Sequence, residues 1–246
     1  GYGVEGKVDG KRIVLGNRRL MKKENISLSF KESDIEKLEN EGRTVMMLSV
    51  DGKLTALIAV ADTLKETAEE SVKQLQKIGI EVIMITGDNQ RTANAIAKKV
   101  GIKRVLAQVL PDQKEAEVRK IQSEGKVVAM VGDGINDAPA LAAANIGIAM
   151  GSGTDIAMEA ASITLINKDL RSVAQAIILS RKTMRTIRMN LVWAFGYNII
   201  LIPVAMGILY PFFNILLNPI FASVAMATSS ISVVSNSLLL KQKKIK

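Results

Sequence analysis

Val127-Val128-Ala129-Met130-Val131-Gly132-Asp133-Gly134-Ile135-Asn136-Asp137-Ala138-Pro139 is the stretch whose reading decides the fold. It opens as an apolar, β-branched run, Val127 to Val131, and a run of that kind reads as a buried parallel strand. It then breaks into Gly132-Asp133-Gly134. Glycine lets the backbone turn sharply and lets a ligand come close. Asp133 and Asp137 lie four positions apart just past the strand's carboxyl end, where open α/β sheets place their ligands. Hard oxygen donors on a tight loop suit Mg²⁺ better than a soft metal. A lone Asp-Gly pair would read as a polar turn satisfying its own backbone. The longer run G-D-G-x-N-D-A-P is far more specific.

On both sides of this stretch, strands and helices alternate. The pattern predicts a helix over Glu66 to Ile78 and a strand over Glu81 to Ile85. A loop Thr86-Gly87-Asp88 leads to a helix over Arg91 to Val100, and another helix runs from near Pro111 to Gly125. After the central strand come a short helix over Ala138 to Ala144 and a strand over Ile146 to Met150. Gly151-Ser152-Gly153-Thr154-Asp155 caps a helix to Ala160, Ile163 to Ile166 is a last strand, and a long helix starts at Leu170. Such alternation means a parallel sheet with right-handed crossovers.

The G-D-G-x-N-D run closely resembles the Mg²⁺-binding loop of P-type ATPases, members of the haloacid-dehalogenase-like phosphotransferase superfamily. The resemblance implies that Asp133 coordinates Mg²⁺ and that Asn136 and Asp137 complete the second half of the site. Two further residues fit that family. Thr86, at a strand end, can donate its hydroxyl to a phosphoryl oxygen, and Lys114 in Pro111-Asp112-Gln113-Lys114 can neutralise phosphate charge during transfer. Either alone reads as an ordinary surface residue. Taken in order they match three of the superfamily's four motifs, making Thr86, Gly87, Asp88, Lys114, Asp133, Asn136 and Asp137 the candidate catalytic set. The fourth, the phosphorylated Asp of Asp-Lys-Thr-Gly-Thr, is absent, so this chain alone is expected not to run the reaction. Asp62, in Asp62-Thr63-Leu64-Lys65, resembles instead the D-x-x-K/R element at the return from the nucleotide domain.

Residues 1 to 60 read differently, as small antiparallel β structure with one helix. Val8-Asp9-Gly10-Lys11 and Val50-Asp51-Gly52-Lys53 are hairpin signals, and Ser33 with Glu36 forms a capping box for a helix that stops at Gly42. Gly in β turns is the ordinary account of Gly1, Gly3 and Gly16. The stretch nevertheless resembles the last part of the nucleotide-binding domain of heavy-metal P-type ATPases. In that family the corresponding glycines line the ATP pocket, which carries over to Gly1, Gly3 and Gly16. The family's His-Pro element does not occur.

Composition excludes several alternatives. The chain has no cysteine and no histidine, so disulfides, Cys or His metal sites and His-based triads are out. Its 33 basic against 24 acidic residues could suggest nucleic acid, but their placement argues otherwise. No charged residue lies between Arg188 and Lys241; Arg181, Lys182, Arg185 and Arg188 stand before the gap, and Lys241, Lys243, Lys244 and Lys246 after it. About 20 apolar residues span a bilayer core, so the gap fits two spans, about 190–209 (containing Pro203) and 215–240. Equal basic flanks put both ends, and the 1–185 headpiece, on the cytoplasmic side of a cell membrane, with the turn Tyr210 to Pro219 outside. The chain has no signal peptide at Gly1-Tyr2-Gly3; it begins without Met and inside a pattern, which suggests a fragment.

Within the spans, Asn190, Tyr197 and Asn198 share one side of the first helix, and Met226 and Ser230 share a face of the second. The residues by themselves leave two readings open: interhelical hydrogen-bonding glue, or an ion site, for which thioether sulfur would select Cu⁺ or Ag⁺. Tyr-Asn in the first span, together with M-x-x-S-S in the other, resembles the signature of the Cu⁺/Ag⁺-transporting P-type ATPases. That resemblance makes Tyr197, Asn198, Met226 and Ser230 ligands on the pathway of transported Cu⁺. The family's Cys-Pro-Cys is missing.

The expected architecture is therefore α/β. A haloacid-dehalogenase-like parallel sheet (61–180, the phosphorylation domain without its nucleophile strand) carries part of an α+β nucleotide-binding domain (1–60) and a two-helix transmembrane hairpin (181–246). The expected function is ATP-driven export of copper or silver through an aspartyl phosphate, with Mg²⁺ and ATP as cofactors. The expected partners are the remainder of the same pump, the lipid bilayer and a copper chaperone, and no nucleic acid. The rivals are a pump for another ion, a membrane-anchored phosphatase using Asp62, and a non-catalytic assembly fragment.

Overall fold

The computed structural model describes residues 2–61, 64–151, 155–167, 169–213 and 219–242. Gly1, Asp62, Ser152 to Thr154, Asn214 to Asn218, Lys243, Lys244 and Lys246, which carry parts of the expectations above, lie outside the described residues. The chain forms two compact units, Gly1–Val173 and Ala174–Lys246.

The first unit begins with a four-stranded antiparallel sheet in the order β1 (Gly3–Val8), β2 (Lys11–Gly16), β3 (Thr44–Val50) and β4 (Lys53–Val60). Both Asp-Gly pairs make hairpins as expected: Asp9 and Asp51 take left-handed φ of 49° and 47°, with Gly10 and Gly52 following at 78° and 79°. Two helices cover the sheet, α1 (Arg18–Lys23) and α2 (Glu32–Asn40). The core between them is Val14, Met21, Ile26, Ile35, Val45 and Met47. The capping box is corrected. A 3₁₀ turn over Ser29–Lys31 runs straight into α2, so the chain is already helical at Ser33 and no side chain caps the start. Helix α1 was not expected; Asn17 caps it by accepting hydrogen bonds from the N–H groups of Arg19 and Leu20.

Then the alternating part follows: α3 (Thr67–Lys77), β5 (Ile83–Ile85), α4 (Gln90–Val100), β6 (Arg104–Leu106), α5 (Lys114–Ser123), β7 (Ala129–Gly132), α6 (Ala138–Ala143), β8 (Ile146–Met150), α7 (Asp155–Ala160) and β9 (Ile163–Leu165). All its pairings are parallel, as predicted. β6 is a strand the sequence reading missed, because only two apolar residues, Val105 and Leu106, mark it. The ladder comes in two pieces, β5-β6 and β7-β8-β9. Among the described residues β7 pairs only with β8, and this corrects the expectation of a fully buried central strand. Its residues are half-buried or exposed, and Val127 lies outside it and is 81% exposed. Burial is concentrated instead on β8, which has neighbours on both sides.

The second unit consists of helices. α8 (Arg171–Ala205) begins in the first unit and continues unbroken through Pro203. Proline has no N–H to give the Ile199 carbonyl, and the helix ends two residues later at Ala205. At about 1.5 Å per residue, its 35 residues are far longer than a bilayer core of about 30 Å. It is long and apolar enough to cross a membrane, with mean hydropathy 1.4 over its most apolar window and none of that window buried. α9 (Tyr210–Phe213) puts a helical turn where a plain turn was expected, and α10 (Pro219–Gln242) follows. Outward-facing apolar side chains, such as Phe195, Ile199, Val234 and Leu238, are more than half exposed, as lipid-facing positions would be.

The two long helices are joined by amides. Asn236 Nδ2 donates to Asn190 Oδ1 at 2.7 Å and to the Thr186 carbonyl at 3.4 Å, while Asn190 Nδ2 donates to Ser237 Oγ at 2.9 Å. For Asn190 the glue reading is therefore the observed one.

Two outcomes test this packing. Ile35, fully buried, should lose about 2–5 kcal/mol of unfolding free energy when replaced by Ala, read from denaturant midpoints. Asn236→Ala should weaken α8–α10 association by roughly 0.6–2 kcal/mol, read as a lowered midpoint for separation of the helices in detergent.

Candidate functional site

The corner past β7 is built by one steric requirement. A 3₁₀ turn over Ile135–Asp137, closed by the Asp137 N–H donating to the Gly134 carbonyl at 3.0 Å, folds Asp137 back over the strand end. A Cβ on Gly132 would sit 2.7 Å from Asp137 Cβ and 2.8 Å from Asp137 Oδ2. Only glycine at 132 leaves room for that carboxylate. Lys114, first residue of α5, reaches it: Nζ lies 2.7 Å from Asp137 Oδ1, with the two side chains only 19% and 14% exposed. Asp133 and Asn136 are exposed on the same turn.

Thr86 is tied to Lys114 through the chain that precedes α5. The Thr86 N–H donates to the Leu106 carbonyl at 3.0 Å, and the Val109 N–H donates to the Thr86 carbonyl at 3.0 Å. Val109 leads into the 3₁₀ turn Pro111–Gln113, which packs against the turn holding Asp137. The strand end carrying Thr86 and the loop carrying the two aspartates thus meet through the segment that delivers Lys114. The Thr86 hydroxyl donates to Asp88 Oδ2 at 2.9 Å, and the Asp88 N–H donates back to it at 3.2 Å. Asp88 Oδ1 accepts from Thr44 Oγ1 at 2.9 Å. Thr44 is a residue the sequence reading missed. It lies 44 positions away on β3, and no local pattern marks such a pairing.

Among the described residues no group of three carboxylates converges. The corner fits Mg²⁺ all the same, because that ion commonly takes one or two carboxylates and fills its remaining positions with phosphate oxygens and water. The space kept open at Gly132 and the all-oxygen donors of Asp133, Asn136 and Asp137 suit it.

Gly3 and Gly16 face each other across the β1–β2 ladder. Gly3 has φ of +149°, and a Cβ there would meet the Leu15 carbonyl oxygen at 2.2 Å and Leu20 Cδ2 at 2.6 Å; on Gly16 it would meet the Tyr2 carbonyl oxygen at 2.4 Å. What the glycines visibly admit is the close approach of the two strands and of Leu20 from α1.

In the second unit, Tyr197 stacks at 6.2 Å on Trp193 of its own helix. Asn198 Nδ2 donates to the Ala194 carbonyl and Ser230 Oγ to the Met226 carbonyl, both within one helix. Met226 is 67% exposed. Among the described residues no hydrogen bond links Tyr197 or Asn198 to Met226 or Ser230.

Comparison with known proteins bears on the family. Residues 2–145 match the family model for haloacid dehalogenase-like hydrolases, and residues 115–177 match another model of the same description. The chain is 52% identical over 245 residues to a copper-exporting P-type ATPase of Bacillus subtilis and 49% identical over 241 residues to copper-transporting ATPase 2 of Rhizobium meliloti. These alignments cover 99% and 98% of the chain but only 30% and 29% of the relatives, so the chain spans about a third of the length of the curated proteins it matches. Among solved structures, a zinc-transporting PIB-type ATPase in its E2·Pi state superposes with a TM-score of 0.71 at 35% identity, over 98% of this chain and 38% of that one. The chain belongs to the haloacid dehalogenase-like hydrolase family.

Proposed function

We propose that this chain is the part of an ATP-driven copper (or silver) exporting pump that grips the transferred phosphoryl group and supplies two of the membrane spans. The observation that carries the reading is the Lys114–Asp137 contact, 2.7 Å long, beside a glycine that no other residue could replace. A cation and a carboxylate that neutralise each other can trade partners when a phosphate arrives. Lys114 turns to the phosphoryl oxygens, and Asp137 with Asp133 and Asn136 is freed to face a hard cation. Mg²⁺ bound there would neutralise the charge that develops on the transferred group. The Thr86 hydroxyl donates to a phosphoryl oxygen at the end of β5.

The phosphorylated Asp comes from outside this sequence. β5 and β7 both end in motif loops, and among the described residues each pairs on one side only, with β6 and β8. A strand between them would carry its first loop residue to the phosphate seat. ATP is taken near Gly1, Gly3 and Gly16, phosphorylates that Asp, and hydrolysis of the aspartyl phosphate resets the domain. α8 carries the change from the phosphoryl corner into the bilayer, with the headpiece cytoplasmic. Met226, Ser230, Tyr197 and Asn198 serve the copper pathway once the remaining helices of the pump draw them together. The names of the copper-transporting relatives support this choice of cargo.

At its N-terminus α8 is held by Asp169, which accepts from the Arg171 N–H at 3.0 Å and from Arg171 Nε at 2.8 Å. The Arg171 guanidinium holds the Asp169 carboxyl down at about 2. Because the folded value is depressed, this anchor contributes fully above the unfolded value of 3.8 and is lost as pH falls through about 2.

Three outcomes follow. Asp133→Asn should weaken Mg²⁺-dependent binding of inorganic phosphate by this chain at least on the order of 10-fold by calorimetry. Met226→Ala should reduce Cu⁺ bound per chain in lipid vesicles. The thermal midpoint of wild type should exceed that of Asp169→Asn at pH 6, and the difference should shrink as pH falls from about 4 to about 2.

A further inference from the structure

The antiparallel part of the first unit lies directly on the helix that begins after the Thr86 loop, and the seam is polar and ordered. Glu39 of α2 has a side chain only 2% exposed. A carboxylate so buried needs paired cations. It has two, on opposite sides of the seam. Arg18 gives it a forked contact, Nε to Oε1 at 3.0 Å and Nη2 to Oε2 at 3.2 Å. Arg91, from the first turn of α4, approaches Oε2 at 3.4 Å and also takes Glu36 at 2.5 Å. Further along α4, the fully buried Thr92 donates its hydroxyl to the Arg43 carbonyl at 2.9 Å, and Lys99 donates to the Glu41 carbonyl at 3.1 Å. The seam ends at Thr44, whose hydroxyl holds Asp88 Oδ1.

That last contact reaches the phosphoryl site. Asp88 holds Thr44 with one oxygen and accepts the Thr86 proton with the other. A hydroxyl has one proton to give. While Asp88 is fixed in this orientation, Thr86 spends that proton on it and has none for a phosphoryl oxygen.

We infer that Thr44 is a positioning residue: by fixing Asp88, it keeps Thr86 turned away from phosphate while the antiparallel part is docked on α4, and undocking at the Glu39–Arg91 contact releases Thr86 to bind. The inference rests on the reading of Thr86 as a phosphate donor. It makes docking of the antiparallel part and phosphate capture by Thr86 mutually exclusive.

The test uses the 246-residue chain in lipid vesicles with Mg²⁺ and inorganic phosphate. Thr44→Val keeps the side chain's shape and removes its hydroxyl. It should raise phosphate affinity roughly 10- to 100-fold, the worth of one hydrogen bond to a charged group. Thr44→Ser should match wild type. Arg91→Ala should raise affinity in the same direction. The chain has no cysteine, so spin labels at Lys37→Cys and Lys98→Cys report the seam directly, and Arg91→Ala should broaden their distance distribution. Adding Thr86→Ala to Thr44→Val should remove the gain. Unchanged or weaker binding in Thr44→Val, with Thr86→Ala alone still lowering affinity, overturns the positioning role and leaves the phosphate site standing. Binding indifferent to both Thr86→Ala and Asp133→Asn overturns the phosphate site and this inference with it.

Discussion

The Lys114–Asp137 ion pair is the constraint from which the headpiece takes its arrangement. Both side chains are largely buried, so each charge requires the other, and replacing one alone would leave an uncompensated charge in a poorly solvated corner. The pair can form only because residue 132 has no side chain, because the turn after it folds back, and because the Pro111–Gln113 turn starts α5 with Lys114 in reach. Three separate segments are thereby fixed relative to one another. The hydrogen bond between Val109 and Thr86 extends the same constraint to β5.

The antiparallel sheet and the helical unit are organised around other devices. In the sheet, opposed glycines let two strands and Leu20 close up, and the buried Glu39 carboxylate draws Arg18 and Arg91 towards it. In the helical unit an Asn–Asn contact joins α8 to α10. Each device satisfies a polar or steric demand locally, so each leaves a specific residue that can be changed without dismantling the others.

How much of this was legible in the sequence depends on range. Gly132 to Pro139 announced its turn because its chemistry is local, and Asp9-Gly10 and Asp51-Gly52 announced their hairpins for the same reason. The alternation from Glu66 to Leu165 announced a parallel sheet, but not that the sheet comes in two pieces. The uncharged run from Met189 to Leu240 announced long apolar helices, and the long helix expected from Leu170 is α8, Arg171–Ala205. Ser33 misled, because a capping box needs an extended residue before the helix and the Ser29–Lys31 turn removes it. Thr44–Asp88 and Glu39–Arg91 were invisible. They join residues 44 and 52 positions apart, and their side chains are of kinds found on any exposed surface.

The central claim is that the Thr86 loop and the Asp133–Asp137 turn form a single site for a metal-bound phosphate. Paramagnetic Mn²⁺, substituted for Mg²⁺ in the presence of phosphate, tests it directly by nuclear magnetic resonance. The account predicts that the amide signals of Gly132 to Ala138 and of Thr86 to Asp88 broaden together at the same Mn²⁺ concentration. Broadening confined to one of the two loops, or spread over scattered surface carboxylates, would contradict it.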